Sequence, residues 1–153
     1  MSNFRGSADH LVASIDSIAD RPAVADVDLG ALDALAGRHR WRLLVLFGSV
    51  ARSGDGRDID LAVLPATMPS LLEQGRWQAD VERVVAPRPV DLLLLSADTS
   101  PVARFEVFRA GRCLFECEPG LFESERDRAF FLHADSEWFR RQQSALLYGR
   151  PHD

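Results

Sequence analysis

The sequence contains no lysine, so all 18 of its basic side chains are arginines. A Walker A phosphate-binding loop needs a lysine, and an enzyme that forms a Schiff base needs a lysine amine. The acylating enzymes with an S-x-x-K motif need one as well. The absence of lysine therefore excludes all three of these enzyme classes.

Cysteine is scarce, and its two copies, Cys113 and Cys117, lie close together in the sequence. On a strand this spacing separates them by roughly 13 Å, which is too far for a disulfide. There are no further cysteines to complete a four-cysteine zinc site. We interpret both as small apolar side chains.

Long apolar runs are also missing, and no stretch approaches the roughly 20 residues of a membrane-spanning helix. The first ten residues lack the apolar core of a signal peptide. We therefore expect a cytoplasmic protein without a membrane partner. The net charge of -5 argues against direct binding to nucleic acid, which usually needs a basic patch. An acidic chain can still bind a nucleoside triphosphate, because Mg²⁺ bridges phosphates and carboxylates.

Apolar periodicity and turn residues predict alternating helices and strands. We expect helices over residues 29–39, 69–85, 101–110 and 120–148, and strands over residues 41–47, 58–64, 90–95 and 112–116. This order predicts an α+β fold in which a small mixed β-sheet is flanked by helices. We assign residues 1–28 to an acidic N-terminal helical segment, residues 29–118 to the main domain, and residues 119–153 to a C-terminal helical extension.

The second predicted strand carries two acidic residues, Asp58 and Asp60, in an otherwise apolar stretch. Residues two apart on a strand point to the same face, so their carboxylates repel each other. A solvent-exposed acidic face is one explanation. The other is a metal site, and Mg²⁺ is suited to it because it binds one or two carboxylates together with substrate phosphates.

A Gly-Ser pair, Gly48 and Ser49, follows directly after the first predicted strand. Glycine permits a tight turn, and we expect Ser49 to cap a short helix whose free N–H groups favour a phosphate. An ordinary strand-to-helix turn would also explain the pair. A third carboxylate, Asp91, opens the next apolar strand and can reach the Asp58–Asp60 pair if the two strands are neighbours.

The stretch Leu46-Phe-Gly-Ser-Val-Ala-Arg52, followed by Asp58-Ile-Asp-Leu-Ala-Val63, resembles the polymerase-β superfamily of nucleotidyltransferases. It is most similar to the minimal nucleotidyltransferases (MNT), and Val90-Asp91-Leu92 matches their third acidic strand. The chain departs from the MNT pattern in a shorter loop after Ser49, and at Ser53 and Arg57. The resemblance implies a nucleotidyltransferase fold.

The resemblance also implies roles for individual residues. Asp58, Asp60 and Asp91 would be the catalytic residues and the metal ligands, with two Mg²⁺ ions as the cofactor. Gly48 and Ser49 would bind the triphosphate of ATP, and Arg52 would neutralise its charge. The implied reaction is attack of a hydroxyl on the α-phosphorus of the nucleotide, with release of pyrophosphate.

The short chain resembles the antitoxins of HEPN/MNT toxin–antitoxin pairs, which transfer AMP to a tyrosine of a helical HEPN ribonuclease toxin. The apolar face of the predicted helix 120–148 is wider than packing against a single core requires. The helix is therefore either surrounded by its own domain or packed against such a partner. Transfer of a nucleotide to a small molecule such as an antibiotic is one alternative. A non-catalytic antitoxin that inhibits its partner by binding alone is another. The sequence leaves the acceptor, the preferred base and the oligomeric state open.

Overall fold

The computed structural model describes residues 27–148, so most of the predicted N-terminal segment 1–28 lies outside the described residues. Helices and strands alternate along the described chain, as the sequence predicts. The helices are α1 (Leu29–Arg38), α2 (Gly48–Ser53), α3 (Leu71–Val85), α4 (Pro101–Arg109) and α5 (Leu121–Leu147). The strands are β1 (Trp41–Phe47), β2 (Ile59–Pro65), β3 (Val90–Leu94) and β4 (Arg112–Glu116).

The four strands form one mixed sheet in the order β3-β2-β1-β4. Strand β1 is antiparallel to both of its neighbours, β2 and β4, whereas β2 and β3 are parallel. The predicted mixed sheet is therefore confirmed. Because β1 runs opposite to β2 and β3, the end of β1 lies at the same edge of the sheet as the beginnings of β2 and β3.

Helices cover both faces of the sheet. On one face, Leu44 and Leu46 of β1 pack in an apolar cluster with residues of α1 and α3. On the other face, Leu43 and Val45 pack in a second cluster with residues of α4 and α5. Alternate residues of a strand point to opposite faces, so the uninterrupted apolar run of β1 is buried on both sides.

The long helix α5 is buried against the domain only along its first third, although His133 beyond it still stacks on Phe105 of α4. Its buried residues are Leu121, Phe122 and Ala129, and no residue of α5 after Ala129 is buried. Large apolar side chains beyond that point are exposed, among them Phe131 and Trp138. The distal part of the helix therefore presents an apolar surface that the described chain leaves uncovered. No helix in the described part of the chain is both long and apolar enough to cross a membrane.

A buried ion pair fastens the anchored third of α5 to α4. Nη1 of Arg104 lies 3.2 Å from Oε2 of Glu125, and the two side chains are only 6% and 13% exposed. Nη2 of Arg104 also donates a hydrogen bond of 2.6 Å to the carbonyl oxygen of Ser96. The guanidinium thus connects α4, α5 and the segment that follows β3.

Candidate active site

Two of the three predicted acidic residues lie side by side on neighbouring strands. Asp60 of β2 and Asp91 of β3 are register partners in the parallel ladder, and Asp60 is also paired with Phe47 at the end of β1. Register partners on adjacent strands point to the same face of a sheet. The site therefore lies at the edge of the sheet where β1 ends and where β2 and β3 begin.

Asp58 lies just outside the strand on which it was predicted. The strand β2 begins at Ile59, whose N–H donates to the carbonyl oxygen of Pro89, and Asp58 occupies the bend directly before it. The expected start of the strand at residue 58 is therefore wrong by one residue. The Asp58 side chain is exposed, as is that of Asp91, whereas Asp60 is half-buried.

The three carboxylates are close enough to influence one another. The pKa of Asp60 is raised above its ordinary value of 3.8, chiefly by burial and then by the negative charges of Asp91 and Asp58. Arg52 acts in the opposite direction and lowers this pKa. Nearby negative charges disfavour the ionised form of a carboxyl group, and a positive charge bound beside it would stabilise that form. Arg52 supplies part of that charge, which places it near Asp60.

Gly48 leaves space for the Asp60 carboxylate. Its φ angle is 74°, in the left-handed region that favours glycine, and a β-carbon at this position would collide with Oδ2 of Asp60. The backbone between β1 and α2 therefore lies directly against the central carboxylate of the site. This contact gives a physical reason for glycine at position 48.

Ser49 does not cap the helix, contrary to expectation. The helix α2 begins at Gly48, its N-cap residue is Phe47, and no side chain accepts a capping hydrogen bond. The helix thus includes Gly48 and begins one residue earlier than expected. Ser49 is exposed in the first turn, where its hydroxyl oxygen faces the turn that leads to β2.

Gly56 is a residue of the site that sequence reasoning missed. A β-carbon there would lie 2.7 Å from Oγ of Ser49 and 2.8 Å from Cγ2 of Val50. Any larger residue at position 56 would therefore push the turn away from α2. The only sequence signal was the turn composition of residues 53–57, which indicates a loop but not this close approach.

The oxygen ligands of the site are compatible with Mg²⁺. Within residues 27–148, no group of three or more histidine, cysteine, aspartate or glutamate side chains is arranged to hold a metal ion by itself. Mg²⁺ does not need such a group, because it typically binds one or two carboxylates and completes its shell with water and phosphate oxygens. The pair Asp60 and Asp91, with its unfavourable negative charge, fits that mode of binding.

Comparison with known proteins identifies the family. The family described as "Polymerase beta, Nucleotidyltransferase" matches residues 32–119, which is more than half of the chain. The fold and the site thus define a nucleotidyltransferase, and the chain belongs to the polymerase β nucleotidyltransferase family. A comparison with curated protein sequences finds no match.

Solved structures with the same fold come from toxin–antitoxin complexes. A chain of a toxin–antitoxin complex with AMP-PNP has a TM-score of 0.66 at 20% identity, covering 80% of this chain and 100% of its own. A chain from the complex of tri-AMPylated Shewanella oneidensis HEPN toxin with MNT antitoxin has a TM-score of 0.61 at 20% identity, covering 79% and 96%. A chain of an MntA–HepT complex has a TM-score of 0.60 at 19% identity, covering 79% and 97%. These likenesses confirm the nucleotidyltransferase fold.

Proposed function

We propose that this protein transfers AMP from ATP to a tyrosine of a HEPN ribonuclease toxin in the cytoplasm and thereby acts as its antitoxin. The observation that carries the proposal is the pairing of Asp60 with Asp91 across the β2–β3 ladder, where burial and then the charges of Asp91 and Asp58 raise the pKa of Asp60. The complexes that share the fold, one of them with an AMPylated HEPN toxin, support the choice of acceptor.

Each residue of the site has a role in the proposed reaction. Asp58, Asp60 and Asp91 would hold two Mg²⁺ ions, which when bound offset the negative charge of the triphosphate. Gly48 and Ser49 would lie against the β- and γ-phosphates, and Arg52 would offset charge near Asp60. These positions agree with the close contact between Gly48 and Asp60 and with the exposed hydroxyl of Ser49.

The chemical step is an in-line displacement. The tyrosine oxygen forms a bond to the α-phosphorus of ATP, and the bond from that phosphorus to the bridging oxygen breaks, so that pyrophosphate leaves. Asp91 accepts the proton of the attacking hydroxyl. Its exposed position at the beginning of β3 leaves it accessible to an acceptor that approaches from solvent. Positioning and neutralisation of charge would supply most of the rate enhancement.

The distal apolar surface of α5 is the proposed docking site for the toxin. Phe131 and Trp138 are 71% and 56% exposed, and Phe139 and Leu146 are 55% and 82% exposed. Contiguous exposed apolar side chains of this size mark interaction surfaces, and aromatic residues frequently dominate their binding energy. A partner rich in helices could cover this surface by packing along α5.

If the proposal holds, we expect the neighbouring open reading frame to encode a small helical protein. Co-expressing the chain with that protein and measuring the intact mass of the partner tests the proposal. We expect the partner to gain one or more AMP units when ATP and Mg²⁺ are present. The double variant Asp58→Asn/Asp60→Asn should leave the partner unmodified while the variant remains folded. Modification by this variant would refute the assignment of the site, and an inhibited but unmodified partner of the wild-type chain would favour inhibition by binding alone.

A further inference from the structure

A second cleft lies at the opposite edge of the sheet, where the parallel strands β2 and β3 end. It has a volume of about 330 Å³, and Leu64 and Leu95 contribute to its lining. Leu64 follows Asp60 by four residues on the same strand, so the cleft lies roughly 13 Å from the acidic site. Crevices at the carboxyl ends of parallel strands are frequent ligand sites, and this volume is at the lower limit for small-molecule pockets.

Three arginines from three different elements line this cleft. They are Arg42 of β1, Arg104 of α4 and Arg128 of α5, and the acidic residues of the lining are Asp98 and Glu125. The charged side chains of the lining therefore sum to one positive charge, whereas the whole chain has a net charge of -5. The lining of the cleft is thus less acidic than the chain as a whole, and Glu118, the ion-pair partner of Arg42, lies outside that lining.

Arg104 is fixed at the buried side of the cleft. Its hydrogen bonds to the Ser96 carbonyl and to Glu125 hold the guanidinium in one orientation. The pKa of Arg104 is lowered, first by burial; the negative charge of Glu125 raises it, and the smaller effect of the positive charge of Arg128 lowers it again. Glu125 is therefore the main counter-charge of Arg104, and Arg128 is close enough to Arg104 for its charge to act on it.

The guanidinium groups of Arg42 and Arg128 have weak or no ion pairs that a bound anion would need to replace. Nη2 of Arg42 lies 3.6 Å from Glu118, and the two side chains are 42% and 63% exposed. Exposed pairs of this kind contribute little free energy, so Arg42 can exchange Glu118 for another anion. Within residues 27–148, Arg128 forms no ion pair within 4.0 Å.

We propose that this cleft binds a small organic anion through its phosphate or carboxylate group, with Arg42 and Arg128 as the direct ligands. A guanidinium presents its N–H donors in a planar fork that matches both kinds of oxyanion. The bound anion would give Arg128 the counter-charge that no acidic side chain within residues 27–148 provides within 4.0 Å. The apolar side chains of Leu64 and Leu95 would contact the body of the ligand. This site is separate from the acidic site and does not depend on the proposed reaction.

The proposal is tested with two probes, inorganic pyrophosphate and succinate, added without Mg²⁺ at an ionic strength held constant with sodium chloride. Binding is followed by isothermal titration calorimetry and by the melting temperature. We expect at least one probe to bind saturably, and its affinity to fall at least tenfold in Arg128→Gln and in Arg42→Gln. Pyrophosphate and succinate distinguish a phosphate ligand from a carboxylate ligand.

Two matched variants decide where the probe binds. Arg140→Gln removes an exposed arginine from α5 outside the cleft, and Arg52→Gln removes the arginine beside Asp60; both should retain wild-type affinity. Circular dichroism of each variant checks that it is folded. The proposal is overturned if neither probe binds saturably, or if binding is lost in Arg52→Gln but persists in Arg128→Gln.

Discussion

Gly48 and Asp60 lie so close together that a β-carbon on residue 48 would overlap with the carboxylate of residue 60. The two residues belong to different elements, α2 and β2, and the contact joins the turn after β1 to the central acidic residue. The position of the Asp60 carboxylate therefore depends on the absence of a side chain at position 48.

Replacing Gly48 by alanine should abolish nucleotide transfer. The variant Gly48→Ala combines a collision with Asp60 and a positive φ angle, and the backbone strain alone costs about 1–2 kcal/mol. Transfer is measured as release of pyrophosphate, and stability by denaturant unfolding.

Gly54→Ala is the matched control for this variant. Gly54 has nearly the same φ angle, 75°, but a β-carbon there would meet nothing within 4 Å. Both variants should lose similar stability from strain, whereas only Gly48→Ala should lose activity. Equal activities in the two variants would show that the contact with Asp60 does not position the carboxylate.

The stability contributed by Asp60 should fall as the pH rises. Its pKa in the folded protein is above the ordinary value of 3.8, so the folded state binds this proton more tightly than the unfolded state. That contribution is present below pH 3.8 and is lost as the pH rises through the folded-state pKa. Asp60→Asn should therefore gain stability relative to the wild type between acidic and neutral pH, although it loses activity.

Asp91→Asn tests the cause of this shift. Since Asp91 is the largest charge contribution to the raised pKa, its removal should move the pKa of Asp60 towards 3.8. The titration of the Asp60 carboxyl group, followed by NMR, measures this directly. An Asp60 pKa that is the same in Asp91→Asn and in the wild type would mean that the two carboxylates do not interact.

Breaking the Arg104–Glu125 ion pair should be costly. The pair is almost fully buried, and removing one partner leaves an uncompensated charge, so Arg104→Met or Glu125→Gln should each lower the free energy of unfolding by about 3 kcal/mol. The double variant should lose less than the sum of the two single losses.

The exposed ion pair of Arg141 and Glu137, also on α5, is the control for this comparison of single and double variants. Its atoms are 3.7 Å apart and its side chains are 84% and 43% exposed. Removing it should change the free energy of unfolding by less than about 0.5 kcal/mol. Denaturant unfolding measures both pairs, and equal losses would contradict a role for Arg104 and Glu125 in anchoring α5.

Replacing Trp77 by alanine should lower stability, whereas replacing Trp138 should weaken partner binding. Trp77 is 6% exposed and contacts the ring of Trp41, so Trp77→Ala should destabilise the chain by about 3–5 kcal/mol. Trp138 is 56% exposed, so Trp138→Ala should leave the isolated chain nearly as stable but weaken binding of the proposed partner. Thermal unfolding and a pull-down with the partner separate these effects, and unchanged partner binding in Trp138→Ala would argue against docking on α5.

Local sequence patterns predicted the elements well, because burial on this sheet follows the apolar periodicity. The predicted strands 41–47 and 112–116 coincide with β1 and β4. The predicted starts of β2 and α3 were off by one and two residues, which is usual at element ends, where the pattern is weakest.

Contacts between residues distant in the sequence could not be predicted from local sequence patterns. The sequence shows that Asp60 and Asp91 each lie on an apolar strand, but not that the strands are parallel neighbours with these two residues in register. The Arg104–Glu125 pair and the approach of Gly56 to Ser49 depend on tertiary packing in the same way. Ser49 as a helix cap was wrong, because Ser49 lies within the first turn of α2 and no side chain caps this helix.

Because α5 is buried only near its beginning, its distal part and the acidic site can change independently in evolution. Ala129 is its last buried residue, and the 18 residues that follow it, up to Leu147, extend for about 27 Å. Beyond His133, which stacks on Phe105, substitutions along this arm should leave the packing of the sheet and the geometry of the acidic residues untouched. New binding specificities can therefore arise at its tip while the chemistry of the acidic site is inherited unchanged.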